Sequence, residues 1–348
     1  MLKSIFLFLL CLNLVPESPA QTQLTGLSHQ AKNRDFGDPS APEFSSKGVR
    51  VLTTGGFELR WKSAEDFFTG GPNRMRRLKF RKPHCRRDCE YLGEDIWDPS
   101  IREGVLYGAV TNDPSESGNW KRRVYAHRFI NKAWVRESEP LIEPLPANFT
   151  WLGHSYGHHF LEVSGKTYVF YEKVTEERDG LPWKTELFAK RLLNPFQTTG
   201  SEIEVFRIRR DYPRTRRSFG GILAEGPRPF EWKGRFYVFF SGGDYASDDY
   251  GIHLLRAQNP LGPYTPDLTE NDQDLFDYGA TMERKFKLTW GAARAVAFEY
   301  EGKLYCLFHG IRDFGVPIKP HRDVFLAQLF IKGSKVEIKE LVENTIEP

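Results

Sequence analysis

A five-fold internal repeat limits what this chain can fold into. Four segments read glycine, two residues, tyrosine and then an apolar run: Gly104-Val105-Leu106-Tyr107-Gly108-Ala109-Val110, Gly165-Lys166-Thr167-Tyr168-Val169-Phe170, Gly234-Arg235-Phe236-Tyr237-Val238-Phe239 and Gly302-Lys303-Leu304-Tyr305-Cys306-Leu307. A weaker copy, Gly48-Val49-Arg50-Val51-Leu52-Thr53, has Val51 in the tyrosine place. The five glycines stand 56, 61, 69 and 68 residues apart. Recurrence of a turn glycine and a β-prone run marks a repeated supersecondary unit rather than a set of unrelated hairpins.

Each copy predicts the same body. A strand leads into the glycine, the chain turns, and an apolar strand returns. A third strand follows at Phe57 to Lys62, Arg123 to Arg128, Glu186 to Lys190, Ile252 to Ala257 and Asp323 to Phe330. Glu204-Val205-Phe206 and Val336-Glu337-Ile338 supply outer strands. Four antiparallel strands repeated radially make a propeller blade. The predicted fold is all-β: a five-bladed β-propeller of four-stranded antiparallel blades, formed by residues 35–348 as a single domain. Composition agrees, with 27 Phe, 14 Tyr and 8 Trp against 3 Met, and with 30 Gly and 22 Pro for turns.

Residues 1–20 read as an export signal. Lys3 is followed by the apolar stretch Ile5 to Leu12 and the small-residue site Ser18-Pro19-Ala20. The expected location is therefore outside the cytoplasm, with residues 21–34 a polar leader. No later apolar run is long enough to span a bilayer. The net charge of +3 carries no nucleic-acid footprint. Cys85 and Cys89 are close enough in sequence to close a small loop, and Cys306 reads as a buried, inert thiol. The basic run Arg74 to Arg87 is expected to be a solvated connection between the first two blades. Asn148-Phe149-Thr150 is a glycosylation sequon.

In a propeller, the innermost strand of each blade delivers its first residues to the central axis. Those strands precede the repeat glycines, and their leading polar residues are Asp38, Asp98, His158, Glu225 and Arg294, standing 10, 6, 7, 9 and 8 residues before the glycine. One pit thus receives two Asp, one His, one Glu and one Arg. Such a set suits acetal hydrolysis, which needs one carboxylic acid to protonate the leaving oxygen and one carboxylate to activate water. Burial and a neighbouring Asp98 would hold Glu225 protonated, while Asp38 stays ionised.

The chain resembles the five-bladed propeller glycosidases of glycoside hydrolase family 43, which act on arabinose- and xylose-containing glycans. The resemblance rests on Asp38-Pro39, on Val51-Leu52-Thr53-Thr54-Gly55-Gly56 and on Trp61-Lys62-Ser63-Ala64-Glu65-Asp66-Phe67. It rests further on Ala224-Glu225-Gly226-Pro227, on Tyr250-Gly251 through Gly262-Pro263-Tyr264, and on Tyr305-Cys306-Leu307-Phe308-His309-Gly310. It implies inversion without a redox cofactor, with Asp38 as general base and Glu225 as general acid. It also implies a calcium or other ion held near the axis. Two places depart from the family pattern. The middle blade reads His154-Ser155-Tyr156-Gly157-His158-His159 and lacks the third acid, for which Asp98 or His158 are the substitutes. The last blade brings Arg294 where the family has a histidine.

Trp97, His159, Arg294 and His309 are the expected sugar contacts, and Trp151 and Trp290 offer further stacking faces. Arg207, Arg209, Arg210, Arg214, Arg216 and Arg217 crowd the approach to Glu225, as a basic loop or as a site for an acidic sugar. The expected partner is an oligo- or polysaccharide met by a monomer, with neither nucleic acid nor membrane involved. A carbohydrate-binding propeller without catalysis and a phosphorolytic relative are the alternatives.

Overall fold

The computed structural model describes residues 37–340 except 71, 82–89, 93–95, 112–121, 143–154, 177–182, 208–223, 244–249, 270–274, 289, 312–321 and 334. The expectations for residues 1–34, Cys85, Cys89, Asn148, Trp151 and Arg209 to Arg217 lie outside the described residues.

Five sheets follow one another along the chain, each built from consecutive strands. Blade 1 holds β1 (Glu43–Ser45), β2 (Gly48–Thr53), β3 (Phe57–Trp61) and β4 (Arg74–Arg77), with the short helix α1 (Ala64–Thr69) between β3 and β4. Blade 2 holds β5 (Lys79–Arg81), β6 (Glu90–Leu92), β7 (Ile96–Arg102), β8 (Val105–Thr111), β9 (Arg122–Ile130) and β10 (Ala133–Arg136). Blade 3 runs β11 (Ser155–Val163), β12 (Lys166–Glu176), β13 (Trp183–Asn194), β14 (Gln197–Arg207). Blade 4 runs β15 (Ala224–Trp232), β16 (Arg235–Gly242), β17 (Gly251–Ala257), β18 (Thr265–Pro266). After helix α2 (Tyr278–Phe286), blade 5 runs β19 (Trp290–Tyr300), β20 (Lys303–Ile311), β21 (Arg322–Lys332), β22 (Lys335–Glu340).

The repeat glycines do what their spacing implies. Glu103-Gly104 joins β7 to β8 in blade 2, and Ser164-Gly165, Lys233-Gly234 and Glu301-Gly302 join the first two strands of blades 3 to 5, with both φ values positive in every pair. Such turns carry the twist of the flanking strands, and glycine adopts the second position without strain.

Blade 2 has the expected four antiparallel strands, β7 to β10, and carries two more, because β5 pairs parallel to β10 (Trp134 opposite Phe80) and β6 extends the edge. One expectation is corrected: the basic run is no loop over its first part. Arg74 to Arg77 form β4, where the Arg76 guanidinium donates to both oxygens of buried Glu58 at 2.9 and 3.0 Å. Beyond it, Leu78 and Phe80 are buried between Lys79 and Arg81. That period-two alternation is a strand signal, and the density of charge conceals it.

Five apolar clusters hold the ring, one at each seam. Leu52 and Leu78 meet Phe80, Ile96 and Leu106 between blades 1 and 2, and Tyr107 and Val124 meet Val169 and Tyr171 between blades 2 and 3. Phe170 and Leu187 meet Val238 and Phe240, and Phe239 and Ile252 meet Phe308 and Phe325. The last seam closes the ring: Val51, Leu59, Trp61 and Phe67 of blade 1 pack on Val296, Leu307, Val324 and Leu326 of blade 5. Among the described residues no strand is exchanged between the first and last blades, so side chains rather than a shared strand seal this seam. Each large apolar side chain buried there contributes about 1.5–3 kcal/mol.

Candidate active site

The inner strands of blades 2 to 5 are interrupted at the same place, and in blade 1 the matching residue, Asp38, precedes β1. Asp38, Asp98, Gly157, Gly226 and Arg294 all have positive φ, at 50, 47, 63, 56 and 55°. In blades 2 to 5 a register shift falls there, between Trp97 and Ser100, Tyr156 and His159, Glu225 and Arg228, and Ala293 and Val296. A bulge with a left-handed residue bends a strand and re-aims its side chains. Here it turns one residue per blade toward the axis.

This row places the sequence candidates. Asp38, Asp98 and Arg294 occupy it. Glu225 stands one residue before it and His158 one residue after it. Arg294 lies at the centre. Its Nε is 3.5 Å from Asp38 Oδ1, its Nη1 is 3.4 Å from Asp98 Oδ2, and its Nη2 is 3.2 Å from Glu225 Oε2. Arg228, fully buried, donates to Asp98 Oδ1 and to His159 Nδ1 at 3.1 Å. The Tyr250 hydroxyl donates to Glu225 Oε2 at 3.1 Å and accepts from Arg294 Nε at 3.1 Å.

His158 belongs to the seam between blades 2 and 3. Its Nε2 is 3.2 Å from Ser100 Oγ, and its ring lies beside Tyr107 and Phe160. Burial, with Arg228 and His127 nearby, pushes its pKa down to about 3, so it is neutral. Trp97 is half-buried, directly before Asp98.

A second row supports the first. The Asp98 N–H donates to Thr54 Oγ1 (3.3 Å), the Gly226 N–H to Glu172 Oε2, the Arg294 N–H to Ser241 Oγ (2.8 Å) and the Asp38 N–H to His309 Nδ1 (2.9 Å). Each acceptor stands on, or just past, the second strand of the preceding blade. Glu172, Ser241 and His309 pair with Tyr156, Glu225 and Ala293, and Thr54 donates its N–H to Gly37 O. The matching position in blade 2 is Ala109, opposite Trp97. Thr54 also donates its hydroxyl to Asp38 Oδ2 at 2.6 Å, which ties the two aspartates together.

Glu172, Arg228, Tyr250 and Arg322 are the pit residues that sequence reasoning missed as such. Glu172 is fully buried, 3.8 Å from Arg294 Nη1, and a Cβ on Gly157 would collide with its carboxylate. Arg322 Nη1 lies 3.7 Å from Asp38 Oδ1 and is 18% exposed, at the edge of the cluster. An acid inside the apolar run Tyr168 to Tyr171 and its continuation was the available signal for Glu172.

The carboxyls are driven apart. Burial works to raise Asp38, but Arg294 foremost, together with Arg322, outweighs it and holds the carboxyl well below the usual range. His309 Nδ1 accepts the Asp38 N–H, so its proton stands on Nε2. Burial raises Glu225, opposed by Arg294 and the Tyr250 hydrogen bond and assisted by the charges of Asp38 and Asp98. Burial, against Arg294 and with Glu225 and Asp98 adding, lifts Glu172 to about 8.

The expected ion near the axis does not fit. Among the described residues no group of three or more His, Cys, Asp or Glu side chains is arranged to hold a metal. A guanidinium stands among the axial carboxylates, where it would repel a divalent cation. Among the described residues, no helix is long and apolar enough to cross a membrane.

No protein-family model and no curated protein matches the chain. Solved structures do. A thermostable family-43 glycoside hydrolase is similar over 90% of this chain and 95% of that one, at 15% identity and a TM-score of 0.61. The α-L-arabinofuranosidase from Lactobacillus brevis is similar over 86% and 91%, at 14% identity and 0.61. The Cellvibrio cellulosa α-L-arabinanase complexed with arabinohexaose is similar over 88% and 96%, at 15% identity and 0.57. The fold of this chain is the five-bladed propeller that these glycoside hydrolases have.

Proposed function

We propose that the chain is a secreted, monomeric glycoside hydrolase that cleaves arabinose- or xylose-type oligo- and polysaccharides with inversion. Asp38 is the general base and Glu225 the general acid. The carrying observation is that two carboxyls touching one guanidinium have their pKa values pushed in opposite directions, Asp38 down and Glu225 up. Glycosidic hydrolysis by inversion needs a general base and a general acid, about 6.5–9.5 Å apart.

Glu225 gives its proton to the leaving oxygen as the bond to the anomeric carbon breaks. Asp38 takes a proton from water as that water attacks the opposite face. Solvent then returns a proton to Glu225 and removes one from Asp38. Arg294 holds both carboxyls, and the Tyr250 hydroxyl orients Glu225 through its Oε2. Trp97 and His159 are the sugar contacts in this reading. Export by residues 1–20 and the substrates named for the similar structures support action on external glycans.

Acidic sugars and phosphorolysis are less favoured. Arg294 is engaged by carboxylates, so it is not available to a substrate anion, and a phosphate dianion would enter beside Asp38 and Asp98. The test is hydrolysis of aryl α-L-arabinofuranoside and aryl β-xyloside, with NMR of the first-formed anomer. Asp38→Asn and Glu225→Gln should each lower kcat by about 10²–10⁴-fold. Retained configuration, or variants as active as the parent, would sink the assignment.

A further inference from the structure

The segment Leu52-Thr53-Thr54 is held at three points against the chain that carries Asp38. The Ser40 N–H donates to Leu52 O at 2.8 Å, the Leu52 N–H to Ser40 Oγ at 2.9 Å and the Thr54 N–H to Gly37 O at 2.9 Å. These bonds set residues 37–40 in register with residues 52–54, across the left-handed backbone of Asp38. The Thr54 side chain then meets the Asp38 carboxyl. Its hydroxyl donates to Oδ2 at 2.6 Å and accepts the Asp98 N–H at 3.3 Å. A peptide N–H only donates, so it takes a lone pair of Oγ1 and leaves the single hydroxyl proton for Asp38. Blade 2 thereby aims a proton of blade 1.

We infer that Thr54 is the positioning residue for the general base: its hydroxyl, turned by the Asp98 N–H, fixes the Asp38 carboxylate through Oδ2. Its catalytic meaning rests on the hydrolase reading, and the contact rests on geometry alone. The other oxygen, Oδ1, has no hydrogen-bond partner among the described residues. It faces His309 Nδ1 at 3.4 Å, Arg294 Nε at 3.5 Å and Arg322 Nη1 at 3.7 Å. At such distances a guanidinium attracts the carboxylate without setting its plane, and the Thr54 bond supplies that direction. The β-branched side chain adds stiffness, since its methyl restricts χ1 and with it the direction of Oγ1. A hydroxyl donor also favours the ionised carboxylate, the form that takes a proton from water. The charged or titratable groups facing Asp38 are Arg294 from β19, His309 from β20 and Arg322 from β21, with Asp98, Glu225, Arg228 and Tyr250 beyond them. None of these changes in a Thr54 variant.

Three variants of the full chain separate the hydroxyl from the side chain that carries it. Thr54→Val removes the hydroxyl and keeps the shape, Thr54→Ser keeps the hydroxyl, and Thr54→Ala replaces the valine variant should that one not fold. On an aryl glycoside, Thr54→Val should lose about 10²-fold in kcat with KM nearly unchanged, the scale of a misplaced catalytic group. The acidic limb of its rate profile should move up by about one to two units, the size of a lost hydrogen bond to a charged group. Thr54→Ser should recover most of both losses. With ¹³C-carboxyl aspartate and no substrate, the Asp38 resonance, identified by Asp38→Asn, should titrate higher by about the same interval in Thr54→Val and return in Thr54→Ser. A merely structural role would lower the melting temperature and leave the acidic limb and the Asp38 resonance in place. An unmoved limb, a serine variant as impaired as the valine one, or a valine variant with parental kcat overturns the inference. If the resonance shifts but the parent cleaves no glycoside, the contact stands and the hydrolase reading falls. If the parent cleaves glycoside and the resonance does not shift, the reverse holds.

Discussion

Replacing Arg294 by methionine removes the one group that touches every axial carboxyl, and its effect can be worked from the distances. Two of the four carboxyls, Glu172 and Glu225, have raised pKa values, Glu172 to about 8, so the strongest ionic partners lost are Asp38 and Asp98. Asp98 keeps Arg228. Asp38 keeps Arg322, at 3.7 Å and partly exposed. A charge pair at about 4 Å and an effective dielectric constant of about 20 is worth about 4 kcal/mol before relaxation. Breaking a buried pair typically costs about 3–5 kcal/mol. Arg294→Met should therefore lose about 3 kcal/mol of stability at pH 7. The sign with pH follows from Asp38. Its folded pKa lies below the unfolded value of about 3.9, so the stability it supplies is present above that value and is lost as pH falls through the folded pKa. The deficit of the variant should accordingly shrink toward pH 3. About 3 kcal/mol also corresponds to about two units of pKa, so the acidic limb of kcat/KM should move up by one to two units, about as far as Asp38 rises. Urea unfolding at pH 7, 5 and 3, with a pH–rate profile on an aryl glycoside, measures both. A variant within about 1 kcal/mol of the parent at every pH would refute the reasoning, because the guanidinium would then not be the counter-ion of the pit.

Tyr250→Phe removes a hydrogen bond that lowers the Glu225 pKa, so the basic limb of the rate profile should move to higher pH while the fold is kept. Phe67→Ala should cost about 3–5 kcal/mol by differential scanning or urea unfolding, because Phe67 is fully buried at the seam that closes the ring. Glu172→Gln should flatten the loss of stability between about pH 5 and 8: a group with a raised folded pKa contributes stability below its unfolded value and loses it as pH rises toward about 8. Dialysis against a chelator should leave hydrolysis unchanged, since guanidinium rather than a divalent ion balances the axial carboxylates.

The ring was legible because its signal is local and repeated. A glycine forced to positive φ by a two-residue turn, followed by Tyr and β-prone residues, can be recognised without knowing any partner. Counting back from the repeat glycine reached Asp38, Asp98 and Arg294, which all lie in the row of left-handed residues. The offset of His158 from that row has a physical cause: the bulge inserts residues without changing the spacing of the strand ends, so counting from the glycine cannot find it. Glu172 was hidden for a different reason. It comes from the second strand, and only the missing side chain of Gly157, 15 residues earlier in sequence, lets it through to the axis. Pairing between non-adjacent strands, as in β5 with β10, likewise leaves no mark in either strand alone.

The row of left-handed residues restricts how this pit can change. Non-glycine residues tolerate that backbone at a cost of about 1–2 kcal/mol, Asp and Asn most readily, and β-branched residues least. Asp38 and Asp98 conform to that preference, Gly157 and Gly226 escape the cost, and Arg294 alone bears it with a long side chain. Evolution or design that seeks a new specificity here has a short alphabet at the hub, and most variety must enter through residues one step to either side.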